Sequence, residues 1–337
     1  MMNSWIIESH GSPEGLTLVT TPEPEPPPGH VLIRLRAVSL NYRDLLTLKL
    51  ARPGNLPPPL VPCSDGAGEI VSVGEGVTRW KTGDRVLGTF FQQWTAGGMQ
   101  REVMRSALGG PRQGVLTELR ALSEEGIVRI PEHLSFEEAS TLPCAALTAW
   151  HALVGSRPVF AGQTVLILGT GGVSLFALQF AKLHGARVLL VSRSEEKLAK
   201  AGALGADETL HSEATPDWEK WAFERTDRTG VDHVIEVGGA ATLGKSMEAV
   251  RYGGRISLIG VLGGFDERVN PWPIIAKSIS IQGIYVGPRA LFETMNQALA
   301  LHKVRPVVDR IFKWQEARDA FRHLESGRHF GKIVIFT

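Results

Sequence analysis

Val165-Leu166-Ile167-Leu168-Gly169-Thr170-Gly171-Gly172-Val173-Ser174 passes from a wholly apolar run, through a glycine cluster, into a helical pattern. A short apolar run without alternation reads as a parallel strand covered on both faces. Strand, glycine turn and helix in that order are the context in which a dinucleotide fingerprint has meaning. Gly169 permits the sharp turn and Gly171 lets a pyrophosphate approach the backbone, while the helix start offers unpaired amides and a positive dipole end to that anion. Thr170, Gly172 and Val173 complete the loop. Ser174 stands where glycine or alanine is usual, which predicts slightly looser packing of helix on strand. Val173, Phe176, Ala177, Phe180 and Ala181 recur at helical spacing and form the face that covers the sheet.

The same rhythm continues downstream. Strand Thr164 to Leu168 is followed by helix Val173 to His184 closed by Gly185, strand Arg187 to Val191, and helix Ser194 to Leu204 closed by Gly205. A helix capped by Thr215 with Pro216 at its first position comes next, then strands Val231 to Val237, Arg255 to Val261 and Ile279 to Val286. Helices Ala290 to His302 and Gln315 to Leu324 precede a last strand, Lys332 to Phe336. Upstream the texture differs. Runs such as His30 to Val38, Glu69 to Val73 and Asp84 to Leu87 lie between Pro and Gly clusters, as in a β-barrel or sandwich, and helical periodicity is scarce. Thr21 to Gly29 reads as a stiff inter-strand loop rather than a polyproline ligand. Ser135-Phe136-Glu137-Glu138 is a capping box that starts a helix, which Pro143 should end or kink. Phe90 to Gly114 has no clear pattern and is a candidate border of a substrate mouth.

The cofactor's second half is read about 20 residues beyond the first glycine, where an acidic residue would grip the ribose hydroxyls of NAD. Ser192 stands there, followed by Arg193, with Lys197 one turn further. A serine leaves room for a 2'-phosphate and Arg193 offers it a planar fork, so NADPH is favoured over NADH. The competing reading makes Arg193 and Lys197 a solvated pair. Gly238-Gly239, Gly263-Gly264 and Gly287-Pro288-Arg289 each follow a predicted strand and fall at the carboxyl edge of the sheet. Gly238, Val261, Val286 and Arg289 are therefore candidates to line the nicotinamide half.

At 337 residues the chain exceeds one ordinary core and two domains are expected. The 36 Lys+Arg against 35 Asp+Glu are dispersed, without the basic stripe of a nucleic-acid binder. Cys63 and Cys144 are too few for a disulfide framework or a four-thiolate lobe and fit a reducing compartment. No signal-peptide run and no bilayer-length apolar segment is visible, so a soluble cytoplasmic protein without nucleic-acid or membrane partners is expected.

Several stretches in order resemble the medium-chain dehydrogenase/reductase superfamily, in its zinc-independent quinone oxidoreductase-like branch. They are Ser39 to Asp44, Pro62 to Gly68, Gly83 to Val86, Thr141 to Trp150, the Gly169 fingerprint and Gly331 to Val334. The resemblance implies an α/β chain with a GroES-like β-barrel catalytic domain, 1–143 completed by 288–337, and a Rossmann doubly wound parallel sheet over 144–287. It also implies a nicotinamide and substrate cleft and a homodimer joined through Ile279 to Val286. The three catalytic zinc ligands of the superfamily's alcohol dehydrogenases have apparent counterparts at Asn41, Ser64 and Cys144, so no metal is expected. A rescue set of Cys63, Asp65 and Cys144 is the alternative.

Losing zinc bears on the reaction. Zinc moves bound water from a pKa of about 15.7 to about 7, worth ~12 kcal/mol of differential stabilisation. Alcohol oxidation leans on that help, whereas a quinone or conjugated enone is already electron-poor and needs a donor or two for its developing oxyanion. Asn41, Tyr42 and Arg43, in the segment resembling the family's substrate-facing loop, are the candidates, with Asp44 and Asp65 as scaffolding acceptors. The expected activity is NADPH-dependent reduction of a quinone or enone. A metal-free aldehyde or ketone reductase is the second reading and a non-catalytic NADPH sensor the third.

Overall fold

Thr164–Leu168 is buried along its whole length, with Val165, Leu166 and Ile167 fully so. Each such aliphatic side chain taken out of water contributes about 1.5–3 kcal/mol, which puts this strand at the centre of its sheet. The computed structural model describes residues 1–50, 59–264 and 268–337.

The chain divides into two units, one of Met1–Leu147 with Val286–Thr337 and one of Thr148–Tyr285. The changeovers fall at Leu147/Thr148 and Tyr285/Val286, not at Pro143/Cys144 and Gly287/Pro288. The cause is local: the Cys144 amide donates to the Asp65 carboxylate at 3.0 Å and ties the Pro143 turn to the first unit.

In the first unit, β1 (Met2–Ile7) pairs antiparallel with β2 (Leu16–Thr21). A second sheet holds β3 (His30–Ser39), β4 (Asp65–Val73), β5 (Arg85–Gly88), β6 (Leu119–Ser123) and β7 (Ile127–Arg129). The second unit contains β8 (Thr164–Leu168), β9 (Arg187–Ser192), β10 (Glu208–His211), β11 (Val231–Glu236), β12 (Val250–Leu258) and β13 (Ser280–Gly283). The chain then re-enters the first sheet with β14 (Val308–Lys313) and β15 (Lys332–Phe336), and β15 runs antiparallel to β3 with Val334 opposite Ser39. The core of this unit gathers Leu35, Leu48, Ile70, Val86, Phe321, Ile333 and Ile335.

The second unit is a parallel sheet in the order β10-β9-β8-β11-β12-β13, with Leu166 level with Leu189 on one side and Val234 on the other. Strand order reverses between β8 and β11, and such a switch point is where open α/β sheets take ligands at their carboxyl ends. Among the described residues no helix is long and apolar enough to cross a membrane.

Several elements differ from expectation. Tyr42 and Arg43 are not in a loop: a helix covers Tyr42–Leu50, with Asn41 just before it. The helix expected from Thr215 and Pro216 spans Trp218–Glu224 instead. The Thr215 amide bonds the His211 carbonyl, and the Pro216 carbonyl accepts from Lys245, which keeps both in the preceding turn. The last Rossmann strand shortens to Ser280–Gly283, since the Ile279 amide closes a turn onto Ile274. The Phe136–Ser140 helix has its capping box, and at Pro143 the chain changes to a π turn over Leu142–Ala146.

Candidate functional site

At the end of β8 the chain turns at Gly169, whose φ of 75° lies in the left-handed region that glycine tolerates. The Gly172–Leu183 helix follows, and Gly171 at its N-cap supplies no side-chain bond. The first-turn amides of that helix thus lack a side-chain partner, which is the condition for anion binding. A Cβ built on Gly171 meets nothing within 4 Å, so its missing side chain serves no protein neighbour. This cradle fits the pyrophosphate of a dinucleotide. Ser174 corrects the expectation of looser packing: it is buried, and its hydroxyl donates to the Leu168 carbonyl at 2.7 Å, fastening helix to strand.

At the end of β9, Ser192 is buried and Arg193 exposed, and the Arg193 guanidinium has no hydrogen bond or ion pair among the described residues. Lys197 lies in the first turn of the Glu195–Ala203 helix, its amide held by the Ser194 hydroxyl at 3.4 Å. His211, which the sequence reading passed over, organises this corner. Its Nδ1 accepts from the Ala214 amide at 3.2 Å, which leaves the proton on Nε2 to donate to the Arg193 carbonyl at 2.9 Å.

Glu236 was also missed. This fully buried carboxylate at the end of β11 accepts from the Gly238 and Gly239 amides at 2.7 and 3.1 Å and from the Thr242 hydroxyl at 2.6 Å, and it bonds Ser246 as well. It fixes the Gly238 turn against the loop after β12, where the Gly263 amide donates to the Gly238 carbonyl and the Gly264 amide to the Val261 carbonyl. Gly238 and Val261 are thereby brought together at one sheet edge with Gly169. Val286 and Arg289 are placed differently. Both belong to the first unit; Val286 is buried, and the Arg289 guanidinium is taken up by the Glu125 carbonyl at 3.0 Å and the Glu125 carboxylate.

The first unit holds a second polar cluster. Asn41 immediately precedes the Tyr42–Leu50 helix; its amide N–H donates to the Asp44 carboxylate at 2.8 Å and its carbonyl accepts the Asp44 amide at 2.9 Å. Lys332, buried at the head of β15, donates to the Leu40 carbonyl at 2.5 Å and to Asn41 Oδ1 at 2.6 Å. Asn41 is 8% exposed, and its side-chain NH2 acts on the buried Asp65 carboxylate. Asp65, fully buried, accepts the Ser64 hydroxyl at 2.6 Å and the Cys144 amide. Burial raises the Asp65 pKa above the usual carboxylate range, opposed by the Lys332 ammonium, the Ser64 hydroxyl and the Asn41 amide. Burial likewise pushes Asp44 up to about 6, against the pull of Arg43.

Of the other expected donors, Tyr42 is 42% exposed. Arg43 is turned elsewhere: its guanidinium donates to the Leu108 carbonyl at 2.5 Å and lies over the Phe90 ring at 4.7 Å. Phe90 to Gly114, with a single short helix at Arg101–Met104 among its described elements, thus serves as the anchor for Arg43. The donor set suits zinc poorly. It consists of an amide whose oxygen is bound to an ammonium, a hydroxyl spent on Asp65, and a single thiol, where a catalytic zinc takes three protein ligands. The rescue set of Cys63, Asp65 and Cys144 fares no better: among the described residues no three His, Cys, Asp or Glu side chains are grouped to hold a metal ion.

A family model described as zinc-binding dehydrogenase matches residues 172–302, and one described as alcohol dehydrogenase GroES-like domain matches residues 27–132. A zinc-type alcohol dehydrogenase-like protein of Schizosaccharomyces pombe is 43% identical over 314 residues, 91% of each chain. The crystal structure of an NAD-dependent alcohol dehydrogenase superposes with a TM-score of 0.91 at 33% identity, over 100% of both chains. That of a quinone oxidoreductase from Pseudomonas syringae does so with a TM-score of 0.84 at 27% identity, again over 100% of both.

Proposed function

The chain belongs to the medium-chain dehydrogenase/reductase superfamily and is an NAD(P)H-dependent oxidoreductase, and on that premise we propose that it uses NADPH, without zinc, to reduce a quinone or conjugated enone. The observation that carries the reading is Asn41 itself: a buried neutral amide, its oxygen bound to the Lys332 ammonium, at the position resembling a zinc-ligating cysteine. The zinc-binding model spans 172–302, outside Asn41, Ser64 and Cys144, so that match does not bear on the ligand set.

When bound, the reduced nicotinamide supplies the hydride. The first-turn amides of the Gly172–Leu183 helix hold the pyrophosphate, and Arg193 pairs with the 2'-phosphate beside the uncharged Ser192. Asn41 Nδ2 donates to the acceptor's carbonyl oxygen as negative charge develops there, and one such donor in a site shielded from water contributes about 2.7–4 kcal/mol to the barrier. Hydride plus one proton completes the reduction. Tyr42, whose ring reaches solvent, is the proposed route for that proton. Arg43 is left out of the chemistry because its guanidinium is committed to Leu108 and Phe90.

A metal-free aldehyde or ketone reductase is the second reading, supported by the alcohol dehydrogenase names of the relatives. NADPH absorbance followed with 1,4-benzoquinone, an enone and an aldehyde separates the readings. The proposal expects the fastest turnover with the quinone or enone. Faster aldehyde turnover would favour the second reading, and tight NADPH binding without turnover of any acceptor would favour a sensor. A homodimer through Ile279 to Val286 is proposed alongside, supported by the place of β13 at the end of the sheet order and by the exposed Trp272 and Ile275 just before it.

A further inference from the structure

Strand pairing in the second unit lines up polar residues on one face of the sheet. His233 of β11 is level with Arg255 of β12, and Arg255 is level with Ser280 of β13. Further along the same strands Ser257 is level with Gln282. Level residues on neighbouring strands, and alternate residues along a strand, share a face. The segment after the Leu147–Val154 helix joins them there. The Ser156 hydroxyl donates to the Gln282 side-chain carbonyl at 2.8 Å, and the Arg157 guanidinium donates to the Ser280 hydroxyl at 3.5 Å. Arg157 and Arg255 thus converge on one serine.

No negative charge accompanies them. Among the described residues neither guanidinium forms an ion pair, and Arg255 Nη2 is buried without a hydrogen bond. Asp232, the carboxylate that acts on Arg255, is spent on the Arg251 guanidinium at 2.7 Å and the Thr164 amide at 2.8 Å. His233 is fully buried with Nε2 2.8 Å from the Ser257 hydroxyl. Burial, reinforced by Arg255 and Arg157, holds its imidazole well below the ordinary pKa and therefore neutral. Burial, and after it the repulsion of Arg157, pushes Arg255 down to about 10. Like charges held together with an unsatisfied buried donor are the condition that a bound anion relieves. Solvent reaches the place, for Arg157, Ser280 and Gln282 are exposed and Arg255 is half-buried.

A guanidinium presents a planar fork of N–H donors that matches an oxyanion. The Ser280 oxygen accepts from Arg157, so its own proton is available to a further oxygen. Two forks and a hydroxyl suit three oxygens of a phosphoryl group. The dinucleotide does not account for this set. Ser280 opens β13 and His233 is level with Val165 near the start of β8, whereas Gly169 and Gly238 follow the far ends of β8 and β11.

We propose that Arg157, Arg255 and Ser280 form a phosphate-binding site apart from the dinucleotide cradle, taking inorganic phosphate or the phosphoryl group of a small solute. The test follows Tm of the whole protein, saturated with NADPH so that the Gly169 cradle is filled. Inorganic phosphate or glycerol 3-phosphate is added at an ionic strength held constant with sodium chloride. At about ten times its Kd the ligand should raise the wild-type Tm by about 2–4 °C. Arg157→Ala and Arg255→Met should each abolish the rise, and the exposed Arg157 keeps the test open where Arg255→Met does not fold. Without phosphate, Arg157→Ala should melt at or above wild type, because a like-charge contact is relieved. The larger of the two responses identifies the free ion or the phosphoryl solute as the occupant. No rise in wild type, or a rise that survives Arg157→Ala, overturns the proposal. So does a Tm several degrees below wild type in phosphate-free Arg157→Ala, which would make the arginine a structural strut. Sedimentation of the same samples adds one more outcome: lost self-association in Arg157→Ala, with no phosphate response in wild type, gives the arginines to a chain interface and overturns the site.

Discussion

Arg193 and Ser192 show what a single residue can carry. The Arg193 side chain is exposed and has no bond among the described residues, while its backbone is pinned through the His211 imidazole. A charge-assisted bond to a phosphate contributes about 1.5–3 kcal/mol, so Arg193→Ala should weaken NADPH binding about 10- to 100-fold and NADH binding little. Titration of the purified variant with both cofactors checks this, and equal losses would refute the phosphate contact. This pair could be nominated from the sequence because its position is counted along one chain segment from Gly169. Lys332 was not legible as a site residue, since it meets Asn41 only through pairing of β15 with β3. Glu236 and His211 were passed over for a related reason: they act largely on backbone groups, the Gly238 and Gly239 amides and the Arg193 carbonyl, which no side-chain motif advertises.

At the scale of elements, the strand, turn and helix around Gly169 was read almost to the residue, because burial, glycine turn and helical spacing all agree there. Several helices escaped, among them two long ones. Tyr42–Leu50 follows a strand and lies in a region whose Pro and Gly clusters suggested β structure throughout. Ala240–Ala249 carries Gly244 in its middle and starts without a side-chain cap, so both propensity and capping signals are weak. Its start is held by Glu236, which accepts the Gly238 and Gly239 amides from outside the helix. The fingerprint turn itself can be tested. Gly171 has an extended backbone at φ −79° and open space where a Cβ would go. In Gly171→Ala the poorer helix cap and the reduced freedom of the unfolded chain oppose each other at about 1 kcal/mol each. Tm should therefore stay within a few degrees while affinity for both NADPH and NADH falls at least tenfold. A large drop in Tm, or unchanged affinity, would contradict the cradle.

For the whole molecule, the sequence texture separated a β-rich unit from a βαβ unit, and the return of the C-terminal strand to the first sheet came with the family resemblance. What position in sequence did not disclose was the polar cluster of the first unit, drawn from Asn41, Asp44, Ser64, Asp65, Cys144 and Lys332 across four separate stretches of chain. That cluster holds a cation of its own, the Lys332 ammonium, bonded to the side chain at the position resembling a zinc ligand. In the proposed function this arrangement reduces an electron-poor acceptor without a Lewis acid. The most direct measurement is NADPH-dependent turnover of 1,4-benzoquinone by protein exhaustively treated with a zinc chelator, with metal content determined on the same sample. Undiminished turnover at far less than one zinc per chain is the predicted result. One tightly held zinc per chain, with turnover lost on its removal and restored on its return, would contradict the account.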